Sequence, residues 1–364
     1  MMSIRTIVKM VTPPILILLW RKVVSRKQVK EHAPIMEKIT AYNFIIDLNR
    51  RSNLPLQSLD ALSEDYSFED IKSISSDNDE PNYYGSFWVL QRYAGFSLMN
   101  LPPRDFSVQH GIIYEMMEWM YNKRDLRNFV WSDKVADMFR EQMGAVRVYA
   151  VGAPFLYAES ILSETEIANE RKRLGRNLLA FPMHSTHYIK KEYDPSPFLK
   201  TLESQKSRFD TVRVCLYWKD IQNGMTSIYR NAGFECVCCG HMFDQYFLSR
   251  QKSLLEIADA TISNAVGSHI GYSISMGKPH CLKLDEFELH DLEGNEGAEE
   301  MALIKRSKNY NDIVEAFKDN ESYVIFESQR RIVDEYWGTS CKMPKEKLNE
   351  LLRDLYRPGG GVKP

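Results

Sequence analysis

Five short apolar runs follow Asn177: "NLLAFP", "TVRVCLYW", "FECVCCG", "ATIS" and "PHCLKL". Between them lie a helical stretch near Pro197–Gln205, a second ending before Gly233, then "QYFLSRQKSLLEIA" and "SHIGYSISMG". A parallel strand pair needs a crossover of a dozen residues or more, usually a helix. Strict strand–helix alternation therefore predicts a parallel sheet with helices on both faces.

The first half repeats the theme less regularly. "FSVQHG", "NFVWS" and "VRVYAVG" have strand character, and "DKVADMFREQMG" makes a helix closed by Gly144. The polar, acidic stretch Ser63–Asn82 has the look of a loop-rich insertion, and "RPGGGVKP" that of a flexible tail. At 364 residues the chain passes the size at which one core keeps growing. The expected architecture is α/β, with two Rossmann-like doubly wound domains facing across a cleft. Its expected parts are a basic segment (1–30), a front domain (31–155), a charged helical connector (156–176), a rear domain (177–330), and a C-terminal helix and tail (331–364).

Composition is ordinary, with 44% hydrophobic and 26% charged residues. The net charge of −2 hides an asymmetry. Arg5, Lys9, Arg21, Lys22, Arg26, Lys27 and Lys30 meet no acid before residue 31, which leaves the remainder distinctly acidic. That balance excludes a general nucleic-acid binder. The run Val11–Trp20 is too short to span a bilayer and lacks a small-residue cleavage site. Its prolines and its Trp20 flanked by Arg and Lys fit a helix lying on an anionic membrane from the cytoplasmic side, or one packed on the protein itself. The six cysteines form no evenly spaced framework, consistent with a reducing cytoplasm. "CVCCGH" lacks a second ligand pair at finger-like spacing, so no metal is expected.

Ligands of an open parallel sheet bind beyond the carboxyl ends of the strands. "ATIS" delivers Ser263 and Asn264 to that edge, Gly267 permits a tight turn, and Ser268 and His269 open a short helix whose free N–H groups can face an anion. The plainer alternative makes Ser268 only a helix cap. After "NLLAFP" come His184, Ser185, Thr186 and His187, whose hydroxyls and imidazoles can reach phosphate oxygens, or simply close a turn on their own backbone. Tyr217 and Gly240 end neighbouring strands, where they can flank a nucleobase or serve packing. In the first half His110, between a strand and Gly111, is a candidate general base, with Asp105, Glu115 and Asp133 as competitors. The acidic run Asp285–Glu300 fits a solvated loop.

With these motifs in hand, "QHG", "FVWS…VYAVGAP", "FPMHST" and "SNAVGSHIGYSISMGKPH" resemble bacterial surface-polysaccharide glycosyltransferases of the GT-B fold, those of O-antigen and capsule assembly. The resemblance runs from about Tyr83 to Leu355. It implies a nucleotide-sugar donor on the rear domain, held by Ser263, Gly267, Ser268, His269 and His184–Thr186. It places a glycan or lipid-linked glycan acceptor on the front domain near His110. Gly271 and Lys278 stand where many retaining relatives carry spaced glutamates, which favours inversion without metal or cofactor. Related chemistry in this fold, transfer from a CDP-alcohol or epimerisation of a UDP-sugar, stays open, as does a non-catalytic membrane scaffold.

Overall fold

The computed structural model describes residues 51–66, 80–96, 105–184, 189–192, 194–285, 288–291 and 296–356. The basic segment 1–30 and the tail after 356 lie outside them. Two units are present, each built on a parallel sheet. The front sheet has strands β1 (Phe106–Val108), β2 (Arg127–Val130) and β3 (Val148–Ala150), in that order. One face receives helix Asp133–Met143, through Val130, Val135, Phe139 and Met143. Ser132 starts that helix by accepting the Val135 N–H, and Gly144 at φ 68° ends it. On the opposite face Phe106, Val108 and Phe129 pack with helices Ser86–Ala94 and Lys345–Leu355.

The remaining strands are β4 (Asn177–Phe181), β5 (Ile189–Glu192), β6 (Thr211–Leu216), β7 (Glu235–Cys238), β8 (Ala260–Ser263), β9 (His280–Leu282) and β10 (Glu288–Asp291). Five of them form the rear sheet, in the order β7-β6-β4-β8-β9. The chain enters at the centre, steps outward to β7, then crosses to the other side of β4. Leu178, Ala180, Val212, Val214 and Leu216 face one core, while Leu179, Phe181, Cys215 and Val237 face the other. Burial on both faces explains why these strands read as unbroken apolar runs. β5 and β10 pair antiparallel beside this sheet. Strand β10 and helix Glu296–Arg306 fall within the acidic run Asp285–Glu300, which is therefore not one solvated loop.

Two boundaries differ from expectation. Leu59 and Leu62 join the rear core, and Leu56 accepts the Cys238 N–H, so residues 51–63 belong with the rear unit rather than the front domain. The C-terminal stretch is two helices, Glu327–Trp337 and Lys345–Leu355. The second returns to the front unit, burying Leu348, Leu352 and Leu355, where each leucine contributes roughly 1.5–3 kcal/mol. Asn349 Nδ2 donates to Ala94 O and Gln91 Nε2 to Tyr356 Oη, fixing its register. Two passages between the units lie side by side: Ala153 N–H donates to Trp337 O, and Gly152 (φ 78°) lies against Gly338 (φ 62°). Among the described residues no helix is long and apolar enough to cross a membrane.

Candidate functional site

A cavity of about 350 Å³ separates the units at the carboxyl edge of the rear sheet. It lies where strand order reverses between β4 and β8, the crevice that open α/β sheets use for ligands. The front unit contributes Tyr84, His110 and Tyr114; the rear contributes His184, Tyr217, Gly267, Ser268 and His269.

His110 stands on a braced loop. Gln109 Oε1 accepts the Trp131 backbone N–H, its Nε2 donates to Gly111 O, and its own carbonyl accepts the Trp131 indole N–H, each at 2.8 Å. The imidazole meets the Tyr83 ring edge-on at 4.8 Å, with Tyr84 at 6.1 Å. Tyr84 takes the left-handed conformation, φ 58°, which costs a non-glycine residue energy. Gly85 follows at φ 70°, and any Cβ there would strike the Gln245 backbone. The outcome is that Tyr84 reaches across the cleft, its hydroxyl sharing a 3.3 Å hydrogen bond with Tyr217. Burial raises the pKa of both phenols, so they stay protonated near neutrality and act as hydrogen-bonding groups rather than bases.

On the rear side His184 stacks on Tyr217 at 4.2 Å, and His269 stacks on Phe181 at 4.6 Å. Burial, with smaller contributions from His280 and His184, lowers the His269 pKa well below the usual imidazole range. It is therefore neutral at pH 7. Its Nε2 is buried and meets no hydrogen-bond partner among the described residues. Gly267 does not need a glycine-only φ; a Cβ there would press on the His269 ring at 2.7 Å. Gly271 leaves room for the Trp337 indole, which packs where a Cβ would stand and donates to Ser268 O at 2.9 Å. Ser268 has helical dihedrals and no side-chain capping bond, so the plain cap reading does not describe it.

Three expected ligand contacts prove to be framework. Ser263 is fully buried, its Oγ donating to Ala265 O and sharing a 3.0 Å hydrogen bond with His280 Nε2. Asn264 accepts the Met183 N–H and donates to Asp285, tying the β4 and β8 loops together. Gly240, at φ 107°, leaves room for the buried Arg250–Asp244 ion pair, which a Cβ would crowd. Neither Ser263, Asn264 nor Gly240 lines the cavity. Ser185, Thr186 and His187 lie outside the described residues.

The competing carboxylates are placed elsewhere. Asp105 is bound by Arg127 and Arg147; burial opposes its charge, but the Arg127 hydrogen bond and charge outweigh that and hold its pKa below the usual range. Asp133 starts a helix, and Glu115 lines a separate front cavity. Among the cysteines of "CVCCGH", burial pushes the Cys236 thiol up to about 11 and raises Cys238 and Cys239 further, which suits packed thiols.

The site also has members that the strand–helix reading missed. Tyr83 and Tyr84 come from an irregular turn, Glu80–Gly85, with no periodic signal; the only hint was two tyrosines against a glycine. Phe181 looked like the end of a strand, and Tyr272 like helix packing.

Two parallel-sheet units meeting at a strand-reversal crevice define a ligand-binding protein of the open α/β class. No family model and no curated protein sequence matches the chain. Among solved structures it is similar to a variant of the wall teichoic acid polymerase TagF, at 13% identity over 69% of this chain and 68% of that one, with a TM-score of 0.40. It is also similar to Medicago truncatula UGT71G1 complexed with UDP-glucose, at 14% identity over 65% of this chain and 52% of that one, with a TM-score of 0.26.

Proposed function

We propose that the protein is a glycosyltransferase that moves a sugar from a nucleotide-linked donor to a glycan or lipid-linked glycan, with inversion. The observation that carries this reading is the inter-unit cavity, which sets His110 on the front wall against His184, Tyr217 and His269 on the rear wall. The nucleotide occupies the rear wall, its base against the Tyr217–His184 stack and its phosphate at the Gly267–His269 corner. The acceptor hydroxyl approaches from the front, and His110 takes its proton. The acceptor oxygen then bonds to the anomeric carbon while the bond from that carbon to the phosphate oxygen breaks. Charge gathers on the departing phosphate, to which His269 Nε2–H and the backbone N–H groups opening helix His269–Ser275 can donate.

The first test is nucleotide binding. A panel of CMP, UDP and GDP should contain one compound that raises the melting temperature, with about 2.7 kcal/mol of added stability at a hundred times its dissociation constant. No response from any of the three supports a non-catalytic scaffold instead. Product mass then separates the enzymatic alternatives: a gain of one sugar fits this reading, a glycerophosphate fits transfer from a CDP-alcohol, and an unchanged mass fits epimerisation.

The acceptor's surroundings enter through the sequence alone. The seven basic residues before position 31 support contact with the inner face of an anionic membrane, each adding roughly 1 kcal/mol near the lipid surface. Deleting Met1–Lys30 is expected to abolish co-sedimentation with phosphatidylserine vesicles. Undiminished pelleting of the truncated protein would rule the anchor out.

A further inference from the structure

A second, smaller cavity of about 130 Å³ opens behind His110 inside the front unit, sharing His110, Gly111, Ile112 and Tyr114 with the central cleft. Its floor is apolar, made by Ile113, Met117, Met120 and Phe139, all buried. One wall holds Asn128, which is 1% exposed. Asn128 Nδ2 donates to the carbonyl oxygens of Lys123 and Leu126, both at 2.9 Å. Carbonyls only accept, so these bonds fix which way the amide faces. Its Oδ1 is left buried, with no hydrogen-bond donor reaching it among the described residues. The charged groups of the lining are engaged near the mouth, with Lys123 over the Trp119 ring at 4.4 Å and Glu300 facing the Trp119 indole N–H at 3.5 Å.

We infer that this cavity is a subsite for an acylamino substituent, the acetamido group of an amino sugar, on the molecule that enters from the front side. Naming that molecule the acceptor rests on the transfer reading above; the subsite itself does not. An apolar cavity of about 150 Å³ takes a benzene-sized guest, so an acetyl group, smaller than that ring, fits here. A hydroxyl would pair with Asn128 Oδ1 but leave the methionine and phenylalanine walls uncovered. An alkyl group would cover them and strand the oxygen. A secondary amide does both, its N–H to Asn128 and its methyl on the floor, where the two methionines can adjust to it. A charged group would lose its hydration against these walls.

The experiment is saturation-transfer NMR on the full chain with methyl N-acetylglucosaminide, methyl glucoside and N-methylacetamide, alongside nucleotide titration. The acetamido methyl should receive the strongest saturation, and the glucoside should bind about 100-fold more weakly, as expected where a site built to pair an N–H meets an analogue lacking it. Ile304 lines the cavity and is only partly buried, so Ile304→Trp narrows it without entering the core. That variant should lose acetamido binding at least tenfold while keeping its nucleotide affinity, which also reports that it is folded. Equal binding of the two glycosides, or unchanged binding by Ile304→Trp, overturns the subsite. Nucleotide binding without acetamido preference removes the subsite and spares the transfer reading. N-methylacetamide bound in the cavity of a protein that ignores every nucleotide does the reverse.

Discussion

His110→Ala is expected to lower turnover by about 10²–10⁴-fold, the usual contribution of a positioned general base, while nucleotide affinity changes less than twofold. The split follows from placement. His110 belongs to the front wall, whereas the groups assigned to the nucleotide all come from the rear unit. The loop that holds it is braced by three hydrogen bonds through Gln109, none of which uses the imidazole, so removing the ring leaves the brace intact. Steady-state kinetics with a donor identified from the nucleotide panel, paired with titration calorimetry, reads both quantities. A proportional fall in affinity and turnover would mean that the residue holds the donor instead. Unchanged turnover would remove it from the chemistry altogether.

The second large effect concerns acid. His280 is buried, its Nδ1 hydrogen-bonded with Thr261 Oγ1 at 2.8 Å and its Nε2 with Ser263 Oγ at 3.0 Å. Burial pulls its pKa down to about 3. In the unfolded chain the same imidazole takes up a proton near 6.5. Below that pH the unfolded state binds the extra proton, so stability, fully present above pH 6.5, falls as pH drops toward 3. The slope approaches about 1.4 kcal/mol per pH unit for each such histidine. His269, also depressed by burial, adds a second proton over an overlapping window. Urea unfolding should therefore give a flat profile above pH 7 and a decline between 6.5 and 5, before most carboxylates titrate. His280→Asn should flatten that decline by one proton. Identical slopes in the two proteins would show that the buried ring is not the group responsible.

Much of the rear unit was legible in the sequence because its strands are buried on both faces, so apolar runs such as "TVRVCLYW" stand out against helices with one polar side. The front strands are shorter, three or four residues each, but Gly144 and Ser132 still marked the helix between β2 and β3. The site was legible only in part. His110, His184, Tyr217, Gly267, Ser268 and His269 line one cavity, as strand-end logic requires. That logic cannot say which way a strand-end side chain turns. Ser263 and Asn264 have the right chemistry for phosphate, yet both turn inward to hold His280 and the β4 loop. Tyr84 was invisible for another reason: its role depends on a left-handed backbone and a partner, Tyr217, 133 residues further along the chain.

The paired passages at Gly152–Ala153 and Trp337–Gly338 bear on how such a molecule can move. Both carry a left-handed glycine, and they are stitched together by one backbone hydrogen bond. Torsion at either strand is therefore gathered on a single pin, with the Tyr84–Tyr217 contact away from it at the lips. A jaw hinged in this way swings rather than slides, and the phenol pair is the latch that must release before a bulky guest can enter or leave.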